Sequence, residues 1–288
     1  MLKVPLEKKY SSILKKEVGL EKSDFFYNVL DFEKIKTKSD VIHDFVLTNN
    51  NRNLITIDKT TFSFLKRFDQ SLSAILLNYE SHPEISLAIW RTLYEATILF
   101  VVVSQTIVNN KNMKLFSELL SRYIDYGVIE ESKMLNIGFD IKVNNILKKY
   151  ENINEIYKMN FEYDWINPVF SERQLLRLNR KGHPSFKDIA YLSQETSPFL
   201  LNMMSTYKES SNVIHMTTLS TKLIDTYDYS KIIKESNDLT NIFMAQFVST
   251  IMAQIDITIN ESDKVSIQLT KYRTVLSNWN NYIRLRWQ

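Results

Sequence analysis

Between Pro83 and Val108 the chain carries only three charged residues, Glu84, Arg91 and Glu95, and from Ala96 to Val108 it carries none. No other segment is so continuously apolar, and such a segment either crosses a membrane or sits at the centre of a protein core. A span needs ~20 apolar residues. The uncharged stretch stops at thirteen, with Arg91 and Glu95 a turn or so upstream. We therefore expect a buried central helix. Asn241 to Ile255 meets Gln246 and Gln254 before Asp256 and reads the same way. The start of the chain, Met-Leu-Lys-Val-Pro-Leu-Glu-Lys-Lys, lacks the apolar centre of a signal peptide. The expectation is a cytoplasmic protein with no membrane partner.

Helices around that centre follow from punctuation and periodicity. Four glycines and five prolines in 288 residues leave long uninterrupted stretches, which favours helices joined by polar loops. Leu6, Tyr10, Ile13, Leu14 and Val18 form one stripe, and Phe25 to Ile35 and Ser39 to Leu47 suggest two more short helices. Leu54, Ile55 and Ile57 are compatible with a short strand. Asp58 then caps a helix whose apolar face is Phe62, Leu65, Phe68, Leu72, Ile75, Leu76 and Tyr79. His82-Pro83 ends it and opens the central helix. Helices are expected over Leu115 to Tyr126, over Glu130 to Tyr150 with Gly138 weakening its middle, from Ser185 to Leu192, and from Ser197-Pro198 to about Tyr207. Asn152 to Pro168 is irregular and aromatic, and the stretch to Pro184 is a long loop or lid. Tyr229 to Ile259 is a long helix with Ile233, Leu239, Ile242, Phe243, Phe247, Ile251, Ile255 and Ile259 inward.

Val265, Leu269, Tyr272, Leu276, Trp279 and Ile283 alternate at four and three residues, a heptad seam. It docks either on the protein's own core or on a second copy, giving a homodimer. No internal repeat and no Pro- or Ser-rich linker divides the chain. The fold class expected is all-α, a multi-helix bundle with a long C-terminal helix: residues 1–55 are an N-terminal helical arm and 56–288 a helical core domain.

Composition removes several chemistries. With no cysteine there is no disulfide framework, thiolate nucleophile or thiolate metal site. Gly19, Gly127, Gly138 and Gly182 are too scattered for a phosphate-cradling glycine loop. No E-x-x-H or H-E-x-x-H motif occurs, and Asp40-Val41-Ile42-His43-Asp44 holds ligand types without that framework, so neither cofactor nor metal is expected. A net charge of +3 is not a nucleic-acid footprint by itself. Basic residues do gather at Lys3, Lys8, Lys9, Lys15, Lys16 and Lys22 and at Arg173, Arg177, Arg180 and Lys181, where solvated faces and a loop explain them without a partner.

Chemistry-bearing residues are few. Arg91 and Glu95 share one face of the apolar helix, and desolvating either charge alone costs several kcal/mol. They are either a structural ion pair that fixes helix register or the lining of a pocket. Tyr207, Ser211 and His215 recur every four residues and project along one helical face. His215 has the side chain best matched to proton transfer near neutral pH. His82 and His183 precede prolines at turns and read as structural or exposed.

Together, the Ile-Trp-Arg-Thr-Leu-Tyr-Glu-Ala helix, the segment Phe186 to Ala190, and Tyr207, Ser211 and His215 resemble an uncharacterised bacterial family in which an R-x-x-x-E helix precedes a Y-x-x-x-S-x-x-x-H element. The resemblance covers roughly residues 60 to 260 and implies an all-helical fold. It carries the site to Arg91, Glu95, Tyr207, Ser211 and His215, and brings no established reaction. A more distant analogy is to the HEPN helical ribonucleases of toxin and phage-defence systems, whose hallmark is Arg followed four to six residues later by His on one helix. Arg91 has no such His. Arg177 and His183 have the spacing, but Gly182 and Pro184 forbid a regular helix there.

Three functions remain. One is a metal-independent ribonuclease-like protein of bacterial defence or toxin type, with His215 as general base and Arg91 steadying phosphate charge. The others are a non-enzymatic helical module that dimerises or binds a protein partner, and a helical pocket that senses a small ligand. The residue pattern further predicts that Arg91, Glu95, Tyr207 and His215 converge on one interior cavity with the ion pair largely buried.

Overall fold

The structure, a computed structural model, describes residues 52–134, 141–151, 159, 161–178, 182–194, 197–214, 228–261, 274 and 277. The N-terminal arm up to residue 51, with His43, the basic residues Arg180 and Lys181, His215 and the residues of the C-terminal heptad seam lie outside these. Among the described residues there is no strand, and the all-α architecture expected from sequence holds.

Helix α1 is Arg52–Asn78, α2 is Pro83–Val108 and α3 is Met113–Met134. Then come α4 (Ile141–Glu151), a 3-10 turn (Asp164–Val169) and α5 (Glu172–Leu175). The chain continues through α6 (Phe186–Ser193), α7 (Phe199–Asn202), α8 (Met204–Ile214) and α9 (Ser230–Glu261).

Two expectations are corrected. The strand-compatible residues Leu54, Ile55 and Ile57 belong to α1, and Asp58 lies inside that helix instead of capping it. Nor is there a break after Tyr126: α3 passes straight through Gly127, where a side chain would meet nothing within 4 Å, and continues to Met134. Tyr126 before the glycine and Val128 and Ile129 after it all pack against the core, which carries the helix across it.

Helix α2 is the hub, with α1, α3, α6, α8 and α9 all packed against it. Its second half is buried from Ala96 to Ile107 apart from Leu99. Hydroxyls inside this apolar helix are satisfied locally: Thr97 donates to the Leu93 carbonyl at 2.8 Å, Ser104 to Val101 at 2.8 Å and Thr106 to Val103 at 2.7 Å. Such bonding removes the cost of burying a polar group. Neighbouring helices are pinned to α2 by buried bonds, from Ser86 Oγ to the Ile75 carbonyl at 2.8 Å and from Gln246 Nε2 to Ser104 Oγ at 2.7 Å. Between them lies an aromatic centre, where the Phe243 ring stacks on Phe68 at 4.2 Å and meets Phe100 at 4.8 Å.

By length and composition α2 is the one helix among the described residues that is apolar enough to cross a membrane; 61% of its most apolar window is buried inside the protein. That burial fits its place as the core helix.

Candidate functional site

The first half of α2 is amphipathic where the second is not. Ala88, Arg91, Thr92, Glu95 and Leu99 are half-buried and recur at three- and four-residue steps, so they form one stripe that the surrounding helices leave partly open. Arg91 and Glu95 are the charged members of that stripe.

Their partner comes from α8. Arg91 Nε donates to Glu95 Oε1 at 3.1 Å, Arg91 Nη2 donates to the Tyr207 hydroxyl at 3.2 Å, and that hydroxyl donates to the same Glu95 oxygen at 2.8 Å. The result is a closed ring of three hydrogen bonds, with the guanidinium also lying 4.9 Å from the Tyr207 ring centre. Burial pushes the Tyr207 phenol above its usual range and the Glu95 carboxylate reinforces this against the opposing charge of Arg91. Tyr207 is thus a protonated donor at neutral pH. Burial weighs against the Arg91 charge, but Tyr207 and Glu95 outweigh it and leave the group more basic than usual.

Two features differ from the sequence expectation. With 26% of the Arg91 side chain and 23% of Glu95 exposed, the ring opens to solvent and is not an interior cavity, because it sits on the uncovered stripe of α2. Ser211 is not drawn into the ring: its hydroxyl turns back to the Tyr207 carbonyl at 3.0 Å, the usual fate of a helical serine. His215 falls one residue past Ile214, where α8 ends, outside the described residues.

Behind the ring is an aromatic wall. Tyr207 packs on Phe186 of α6 at 4.7 Å and on Tyr94 of α2 at 5.6 Å, and Phe186 continues to Tyr163 at 6.1 Å. Burial, and then the charges of Glu95 and Glu162, hold the Tyr163 phenol well above its usual range. Ser185 caps α6 in a reciprocal pair with Asp188, which sets the helix that delivers Phe186.

A second polar pair lies beside this wall, and sequence reasoning missed it. The Asp164 carboxylate, fully buried at the start of the 3-10 turn, stands 2.9 and 3.1 Å from His183 Nδ1 and accepts the Phe161 N–H at 2.8 Å. His183 is 22% exposed. It follows Gly182, whose φ of 100° suits glycine alone, and precedes Pro184. The expectation that no regular helix passes His183 holds. The available signals were an aspartate embedded among aromatic residues and a histidine pinned in a Gly-His-Pro corner; neither names the other. Among the described residues no three His, Asp or Glu side chains gather as metal ligands.

A family model described as a family of unknown function, DUF5677, matches residues 58–243. No curated protein and no solved structure matches the chain.

Proposed function

This chain belongs to the DUF5677 family, whose function is unknown, and from that premise we propose that it acts on RNA as a metal-independent ribonuclease-like protein of bacterial defence or toxin type. The observation that carries the reading is the state of Arg91. Glu95 and Tyr207 fix the guanidinium through two of its five N–H donors, and among the described residues the other three have no acceptor. A planar cation held rigid on a half-open face is suited to the non-bridging oxygens of a phosphodiester. Pre-orientation matters because donors already in place need not reorganise as charge develops on phosphorus.

The reaction assigned to the site is internal transfer at phosphorus. The ribose 2′-hydroxyl gives its proton to His215 as its oxygen bonds to phosphorus, the bond to the 5′-oxygen breaks, and that oxygen takes a proton. The products are a 2′,3′-cyclic phosphate and a 5′-hydroxyl. Arg91 balances the charge of the five-coordinate phosphorus, Glu95 and Tyr207 hold Arg91 in place, and Ser211 steadies the α8 turn through the Tyr207 carbonyl.

The test uses the purified full chain and a single-stranded oligoribonucleotide. We expect cleavage leaving cyclic phosphate ends, and a loss of roughly 10²- to 10³-fold in Arg91→Ala with the melting temperature within a few degrees. If the wild type leaves RNA intact while Arg91→Ala melts much earlier, the ring is a structural lock and the proposal fails.

A further inference from the structure

We propose that His183, oriented by Asp164, is the general acid that protonates the departing 5′-oxygen in this reaction. The inference rests on the RNA reading given above and supplies the part it lacks, since His215 can take a proton but an alkoxide leaving group must also receive one.

The geometry is that of a proton-transfer dyad. His183 Nδ1 is occupied by the Asp164 carboxylate, so Nε2 is left to exchange a proton with solvent or substrate. Among the described residues Nε2 has no partner, and the ring reaches the surface. The backbone that carries the carboxylate is anchored from beneath: buried Arg122 donates from Nε to the Trp165 carbonyl at 3.0 Å and from Nη2 to the Asp164 carbonyl at 3.1 Å. Arg122 thus fixes the backbone and the Phe161 N–H the carboxylate beneath the imidazole, and Gly182 and Pro184 flank it on either side.

Position links the dyad to the Arg91 ring twice. Tyr163, the residue before Asp164, has its ring 6.1 Å from that of Phe186, in the aromatic wall that backs Tyr207. Phe186, three residues after His183, packs directly on Tyr207. The surroundings also suit a single strand. Phe161 is 49% exposed with its ring 4.2 Å from that of His183, an apolar face on which a base can stack. Arg173 and Arg177, both exposed, belong to the segment that leads to His183.

In the step itself, the 2′-oxygen attacks phosphorus and its proton passes to His215. The P–O5′ bond breaks with its electron pair going to O5′, which takes the proton from His183 Nε2. His183 ends neutral and His215 protonated, and exchange with water restores both. Nothing is oxidised or reduced.

The experiment compares the full chain with its His183→Asn variant on two substrates: a single-stranded oligoribonucleotide, and its twin with sulfur in place of the bridging 5′-oxygen. A thiolate departs without a proton. Asparagine can still donate one N–H to Asp164, so the fold and melting temperature should hold. We expect His183→Asn to slow the oxygen substrate by about 10²-fold or more and to cleave the sulfur substrate at the wild-type rate. Asp164→Asn should share the pattern more weakly. Equal losses on both substrates, or no loss on either, overturn the assignment even if Arg91→Ala is inactive. If the wild type cleaves neither substrate, the RNA reading falls and this inference falls with it.

Discussion

The Tyr207 hydroxyl donates to Glu95 and accepts from Arg91 at once, and Arg91 donates to Glu95, so the three side chains are one unit in which losing any member breaks two of the three bonds. Their exposure limits what the unit contributes to stability. A fully buried pair broken on one side costs about 3 to 5 kcal/mol, but here water reaches both charges. Glu95→Ala should therefore destabilise by only about 1 to 2 kcal/mol in denaturant titration; a loss near 4 kcal/mol would mean a closed, dry site. At this scale the sequence was informative where the oddity was local. Two charges four apart in an apolar helix announce themselves, as does a Tyr-Ser-His stripe, and Arg91, Glu95 and Tyr207 do meet. Exposure was not legible, because it depends on which stripe of α2 the other helices cover. The Asp164 and His183 pair was not legible either: nineteen residues separate its members, and no helical periodicity relates them.

At the scale of elements, α8 and α9 are joined by a carboxyl with an unusual burden. Glu235 of α9 is buried and accepts from Thr206 Oγ1 at 2.9 Å, while among the described residues its other oxygen has no hydrogen-bond partner. Burial pushes its carboxyl up to about 7, against the opposing pull of Thr206 and Lys231. An acid raised in the folded state makes folding weaken as pH rises. Below the ordinary value of 4.5 both states hold the proton; between 4.5 and about 7 only the folded state does, and above that neither does. Wild-type stability relative to Glu235→Gln should thus decline by on the order of 2 to 3 kcal/mol from pH 4 to pH 8. A difference that stays flat or rises would contradict this. Helix identity was mostly readable from period: the inward residues proposed for α9 are buried from Ile233 through Ile255. It failed where propensity and tertiary continuation disagree, at Leu54 to Ile57 and at Gly127, because β-branched residues and a lone glycine are tolerated in a helix that neighbouring packing extends.

Across the whole molecule, one apolar helix organises the fold, and the site lies where that helix first becomes amphipathic. The family match ends at residue 243, within α9, yet Phe247, Val248, Ile251 and Ile255 beyond it are buried in the same core. At about 1.5 to 3 kcal/mol for each such side chain, their loss rivals the ~5 to 15 kcal/mol that hold a typical domain together. A chain cut after residue 243 should therefore lose its cooperative melting transition by circular dichroism, whereas an unchanged transition would show that the matched region stands alone. In the proposed reaction Arg91 and His215 act together, and residues that act as a unit are non-additive. The most direct test is the cleavage rate of one oligoribonucleotide by four full-length proteins: wild type, Arg91→Ala, His215→Ala and the double variant. Either single change should remove nearly all activity, and the double variant should be no slower than the worse single one. Full activity in either single variant, or losses that simply multiply in the double, would contradict it.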